Sequence, residues 1–173
     1  MSDVLNKNAP EDPKVILKKI QSHLGFTPYW YANLSESPVA LEAYISLAKT
    51  FEKSSLNAKE QQIVLLTTCI ANQCDFCFST ESFISTQIIG LDHATVEAIQ
   101  QSKPLDDPKL NALADFTRHV VTLRGKVYGE PLNFFLAAGY QFEQALDVII
   151  GVSLKNLSNY ANHMTDSTFF KSR

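Results

Sequence analysis

The chain is 173 residues long, 45% hydrophobic and 19% charged, which supports one compact domain with its own core and excludes a disordered chain. Fifteen Lys and Arg against 18 Asp and Glu leave a net charge of −3, so no basic field exists to hold a phosphate backbone, and nucleic acid is not expected as a partner. Three cysteines do not make a secreted disulfide framework, and neither a signal-type apolar block in residues 1–14 nor an apolar run near ~20 residues is present, so a cytoplasmic protein without a membrane partner is expected.

In chain order, residues 1–13 are polar, carry Pro10 and Pro13, and read as a flexible arm ahead of one domain over 14–173. Ser37-Pro38 pairs an N-cap with proline at the first helical position, and Leu41, Tyr44, Ile45, Leu47, Ala48 and Phe51 follow at helical spacing. Asn57 to Glu60 fits a capping box that opens a helix through Ile63, Leu66, Cys69 and Ile70. A helix beginning at the next cysteines ends at Gly90, and Asp92 caps another over 93–101. Asp107-Pro108 starts a helix with Leu110, Leu113, Phe116, Val120 and Leu123 on one face, stopped by Gly125. After Gly139, the spacing of Leu146, Ile149, Ile150, Leu154, Leu157, Tyr160 and Met164 predicts a long final helix buried along that stripe. Gly151 inside it costs ~1 kcal/mol relative to alanine, which a close helix–helix approach would explain. With no period-two alternation and no hairpin signal, the expected fold is all-α, about eight helices in a single domain.

Cys74-Asp75-Phe76-Cys77 is a C-x-x-C at a helix start. The spacing puts both sulfurs on one face, where they form a short-loop disulfide or act as a dithiol, and unpaired backbone N–H groups favour a thiolate. A thiolate attacks peroxide oxygen or a disulfide sulfur, and the second thiol resolves the product. A zinc site needs four ligands, and only Cys69 and four scattered histidines remain, so no metal is expected. Two inert core cysteines are the plain alternative.

The segments 56–64 and Ala71-Asn72-Gln73-Cys74-Asp75-Phe76-Cys77, with 24–28, 37–44, Ala138-Gly139-Tyr140 and Leu157-Ser158-Asn159-Tyr160-Ala161-Asn162-His163, resemble the carboxymuconolactone decarboxylase family, in its alkylhydroperoxidase D (AhpD)-like, peroxidase-related branch. The resemblance spans about residues 20–165. It implies an AhpD-like helical fold, assembly as a homotrimer or homohexamer, no cofactor, and thiol-dependent reduction of a hydroperoxide at the expense of a protein or small-thiol reductant. The branch's motif is Glu-x11-Cys-x2-Cys-x3-His, in which the carboxylate and imidazole relay a proton. Here the glutamate position holds Gln62 and the histidine position holds Glu81. Gln62 cannot carry a proton, and a carboxylate at residue 81 would raise the pKa of a thiol one turn away.

Two residues are candidates to replace that relay. Glu60 is the nearest carboxylate to Gln62, although the capping box is the stronger account of it. His163 ends the family-like final segment, and imidazole moves protons near neutrality, although a histidine facing the helix C-terminus is an equally good account. The candidate site is therefore Cys74, Cys77, Gln62, Glu81, Glu60 and His163. The expected function is a thiol-dependent (alkyl)hydroperoxide reductase-like protein in antioxidant defence, using a Cys74/Cys77 dithiol–disulfide cycle. The alternatives are a dithiol adaptor or redox sensor with weak peroxidase activity, and a non-catalytic binding protein of the same fold.

Overall fold

In the computed structural model, which describes residues 12–165, Asp12 accepts the N–H of Lys14 and Pro13 takes the first position of α1 (Pro13–Leu24). The arm expected over residues 1–13 lies, apart from Asp12 and Pro13, outside the described residues, and Pro13 already belongs to a helix. There follow α2 (Tyr29–Leu34), α3 (Pro38–Phe51), α4 (Ala58–Ala71) and α5 (Asp75–Ile84). A π-helical turn, Ser85–Ile89, then leads to α6 (His93–Gln100), α7 (Pro108–Thr122), α8 (Glu130–Ala137) and α9 (Phe142–Thr165). Every regular element among the described residues is helical, nine α-helices with one π turn.

The expected caps form. Ser37 accepts from the N–H of Ala40, Asp92 from that of Thr95, Asp107 from those of Lys109 and Leu110, and Asn57 and Glu60 close a reciprocal capping box. Gly90, in the left-handed region at φ 76°, ends the cysteine-bearing segment as expected, but through the π turn. The count lies close to the expected eight, and α2 and α8, of six and eight residues, are among the shorter helices.

Helix α4 is the centre. Nine of its 14 residues are buried, including Ile63, Val64, Leu65, Leu66 and Cys69, and it packs against α5, α6, α7 and α9. A helix apolar on nearly all sides must be enclosed by others. No helix among the described residues is long and apolar enough to cross a membrane.

Helix α9 follows the expected stripe only in part, with Leu154 buried and Ile150 and Leu157 half-buried against the core. Leu146, Ile149, Tyr160 and Met164 are exposed, while Val148, Gly151, Val152, Leu154, Lys155, Ser158, Asn159 and Asn162 are buried. The inward face mixes Val148, Val152 and Leu154 with small and polar residues, and it packs on α2, α3, α4 and α7 as well as on α5. Polar side chains are tolerated there because they bond one another. At Gly151 a Cβ would lie 2.6 Å from Cζ of the Phe51 ring and 2.8 Å from Cγ1 of Val64, so the close approach expected from this glycine is present. Both neighbours are buried and cannot swing away. Gly151→Ala should therefore destabilise by up to about 2 kcal/mol in urea unfolding, because overpacking of ~1–3 kcal/mol outweighs the ~1 kcal/mol gained in helix propensity. A more stable variant would contradict this contact.

Candidate functional site

Asn72 closes α4, and Gln73 turns the chain with φ 58° in the left-handed region. The N–H of Cys74 then donates back to the carbonyl of Cys69 at 2.9 Å. This reversal makes α4 and α5 an antiparallel pair, so that Ser85 Oγ donates to Gln62 Oε1 at 2.8 Å across 23 residues of sequence. Twelve residues of straight helix would have kept Gln62 and Cys74 ~18 Å apart along the axis. The turn brings the Gln62 position beside the segment that follows the cysteines.

Cys74 stands at the N-cap of α5 and Cys77 in its first turn. Their sulfurs are bonded to each other across a Cα–Cα distance of 5.3 Å, within the ordinary range for a disulfide. Both residues are buried, at 4% and 0% exposure. Asn162 of α9 donates its amide N–H to Cys77 Sγ at 2.9 Å and accepts at Oδ1 from Asn33 at 2.5 Å. One turn earlier on α9, Asn159 donates to Cys69 Sγ at 3.7 Å and accepts from Asn72 at 3.0 Å. A ladder of amides thus joins α9 to both cysteine-bearing helices. Cys69 is fully buried, and burial pushes its thiol up to about 11, partly offset by Lys155, so it is a neutral thiol at pH 7.

Glu81 is one turn beyond Cys77 and is also buried, and Lys155 Nζ meets its Oε2 at 2.7 Å. Lys155 has no exposure, and its ammonium lies 4.4 Å from the centre of the Trp30 ring. Burial presses the lysine toward neutrality, but its buried acidic neighbours, of which Glu81 is the one charged at pH 7, outweigh it and hold the ammonium above its usual range. Tyr31 and Tyr44 pack edge to face above the pair at 5.3 Å, and burial pushes Tyr31 up to about 12. The carboxylate expected to act alone on Cys77 is therefore neutralised. Lys155 and Asn162 were not legible as site residues, and the available signal was the polar spacing 155, 159, 162 inside an otherwise apolar helix.

The structure does not bring the other two candidates to the cysteines. Glu60 forms the capping box and accepts from the Tyr140 hydroxyl at 3.0 Å, with Lys109 Nζ 3.8 Å from the same oxygen. That cluster sits at the start of α4, whereas Cys74 follows its end. His163 is exposed beside Tyr160, and it is its neighbour Asn162 that reaches Cys77. On a helix, adjacent residues point about 100° apart, and here Asn162 is the one that faces inward while His163 faces solvent. Among the described residues no group of three or more His, Cys, Asp or Glu side chains could hold a metal ion.

Next to this layer, a cleft of about 740 Å³ is bordered by α1, α2, α3, α4 and the π turn, with Trp30, Tyr31, Gln62 and Glu81 in its lining. The two positions that depart from the peroxidase motif both line it.

No family model and no curated protein matches the chain. Solved structures do. One is the alkylhydroperoxidase AhpD core of an uncharacterized peroxidase-related protein from Ralstonia eutropha JMP134, with a TM-score of 0.79, 20% identity, and coverage of 90% of this chain and 83% of that one. A second, an uncharacterized peroxidase-related protein from Silicibacter sp. TM1040, superposes with a TM-score of 0.75 at 17% identity over 91% of this chain and 84% of its own. The fold is the AhpD-like one.

Proposed function

We propose that this chain is a thiol-dependent hydroperoxide reductase of the AhpD-like, peroxidase-related kind, acting in the cytoplasm through a Cys74/Cys77 dithiol–disulfide cycle. The observation that carries the reading is the cysteine pair at bonding distance on the first turn of α5, beside a cleft lined by both former relay positions. Asn162 is placed to stabilise negative charge on Cys77, so Cys77 is the attacking sulfur. Its thiolate forms an S–O bond to the peroxide, the O–O bond breaks, and the leaving alkoxide takes a proton from solvent to give the alcohol. Cys74 then attacks the sulfenic acid, the S–S bond forms, and the hydroxyl leaves as water with the Cys74 proton. An external thiol reductant returns two electrons and two protons. Lys155 keeps its own proton, and its role is to cancel the charge of Glu81 that would otherwise oppose the thiolate.

Without a proton carrier at Gln62, one acid–base contribution of ~10²–10⁴-fold is missing. That favours slow turnover and keeps a second reading in play, a dithiol sensor or adaptor that exchanges disulfides with another protein. Thiol counting before and after one equivalent of hydrogen peroxide tests both. Two of the three thiols should be lost, with the bridge mapped to the fragment holding Cys74 and Cys77. Cys69 should resist alkylation at neutral pH because its thiol is pushed up to about 11 by burial. A bridge containing Cys69, or three thiols surviving peroxide, would sink the cycle. A fast two-thiol loss without catalytic peroxide consumption selects the sensor.

The subunit also self-associates in this reading, as a trimer or hexamer. Phe142, Leu146, Ile149 and Tyr160 on the outward face of α9, with Phe134 on α8, are each more than 40% exposed, an apolar surface of the kind that copies of a chain bury together. Sedimentation should show no 19.3 kDa species at micromolar concentration, and a single monomer peak would refute assembly.

A further inference from the structure

An asparagine amide presents either its oxygen or its N–H₂ with nearly the same shape, and the two act oppositely on a neighbouring sulfur. The donor that Asn162 offers Cys77 at 2.9 Å therefore needs something that holds the amide in that sense. Two steps supply it, starting at the end of α9. Thr165 Oγ1 commits its one hydrogen to the helix carbonyls of Ala161 and Asn162, at 3.1 and 3.0 Å, so toward other groups its oxygen only accepts. Asn33 of α2 donates to that oxygen at 2.8 Å, which turns its N–H₂, and not its carbonyl, toward α9. The same N–H₂ also donates to Asn162 Oδ1 at 2.5 Å, across 129 residues of sequence. With that oxygen engaged, the N–H₂ of Asn162 is the end left to meet the sulfur. One hydroxyl thus sets the polarity of two amides in turn.

We infer that Asn33 is a positioning residue for the dithiol chemistry: held by Thr165, it fixes the Asn162 amide so that a donor rather than an acceptor meets Cys77. The inference rests on the proposed Cys74/Cys77 cycle for the use made of the thiolate, but the orientation is read from the thiol and not from turnover. Cys77 is fully buried, and burial disfavours a thiolate, so a reversed amide would set a carbonyl dipole against the charge the cycle needs. The other titratable groups of this layer leave the donor's effect visible. Glu81 on α5 is paired with Lys155 of α9. Burial raises Cys69 of α4, Tyr31 of α2 and Tyr44 of α3 above their usual ranges, so all three are neutral at pH 7.

The test follows the ultraviolet absorbance of the Cys77 thiolate against pH in the reduced full-length chain. Cys74→Ser removes the partner thiol, and subtracting the same chain with Cys77→Ser removes the tyrosines and Cys69. In this background Asn33→Leu, which fills the space and admits no water, should raise the midpoint by about one pH unit, a ~tenfold smaller thiolate fraction below it. Asn33→Asp, the same size but an acceptor only, should raise it further. Thr165→Val, at the half-buried end of α9 and therefore tolerant in folding, should raise it by less. Combined with Asn162→Ala, Asn33→Leu should have no further effect, because the amide through which it acts is gone. An unchanged or lower midpoint in either Asn33 variant overturns the role, and so does an Asn33→Leu shift that survives beside Asn162→Ala. An unchanged midpoint in Thr165→Val overturns the first step. If Asn33→Leu fails to fold, Asn33→Asp and Thr165→Val decide. Shifted midpoints in a protein that consumes no peroxide keep Asn33 in its role and remove the reductase reading. Normal peroxide consumption with no shift removes the role of Asn33 alone.

Discussion

Lys155→Met should lower stability by about 3–5 kcal/mol, because removing one partner of a buried pair strands the other as an uncompensated charge. The stranded group is Glu81, whose carboxylate has Lys155 as its partner at 2.7 Å. In a chain of this length that corresponds to a melting temperature lower by roughly 6–20 °C, at fixed protein concentration. Methionine preserves the length of the stem and its contact with Trp30, so the change isolates the charge. The double variant Lys155→Met/Glu81→Gln should recover most of the loss, since neither charge is then buried. Buried ion pairs replaced as a unit are often neutral, and the coupling between the two substitutions should be large and favourable. Calorimetric or urea midpoints decide the matter. A single variant within 1 kcal/mol of the wild type, or a double variant as unstable as the single, would show that the pair is not the buried interaction described.

Peroxide consumption should disappear in Cys77→Ser and fall at least tenfold in Asn162→Ala, where a hydrogen bond to charged sulfur worth about 1.5–3 kcal/mol is removed. Glu81→His separates the sequence from the structure. On motif spacing alone it restores an imidazole one turn from Cys77 and should raise the rate. In the folded chain the same substitution removes the counter-ion of Lys155 and sets an imidazole against an ammonium, which keeps the ring neutral and gives the thiolate nothing. The rate per folded molecule should therefore drop. His163→Ala should stay within about twofold of the wild type, because that side chain faces solvent. Steady-state assays with a thiol reductant in excess measure all four. A Glu81→His enzyme faster than the wild type would mean that the Lys155 pair is irrelevant to the thiols.

The all-helical architecture was legible because its signals are local. A cap side chain bonds to a backbone N–H two or three residues away, so Ser37, Asn57, Asp92 and Asp107 announce helix starts without help from the rest of the molecule. The disulfide partners were legible for the same reason, since a three-residue spacing on one helical turn brings two sulfurs together. Gly151 marked a close approach, because nothing else explains glycine inside a long helix.

What escaped the sequence depends on which faces meet. Periodicity gave α9 an apolar stripe but could not say how much of it the subunit would bury, and Leu146, Ile149, Tyr160 and Met164 turned outward while Leu154 stayed inside. The buried side also carries the row Lys155, Asn159 and Asn162, whose partners Glu81, Cys69 and Cys77 lie 74 to 90 residues earlier. Only when α9 closes against α4 and α5 does a lysine that reads as surface charge become the neutraliser of Glu81. The same closure brings Asn162, rather than the more suggestive His163, to the sulfur. By itself the sequence determined the helices and the cysteine pair, through contacts within a turn or two. The electrostatics of the site were decided by tertiary packing, because a buried charge is tolerated only where a distant segment supplies its partner.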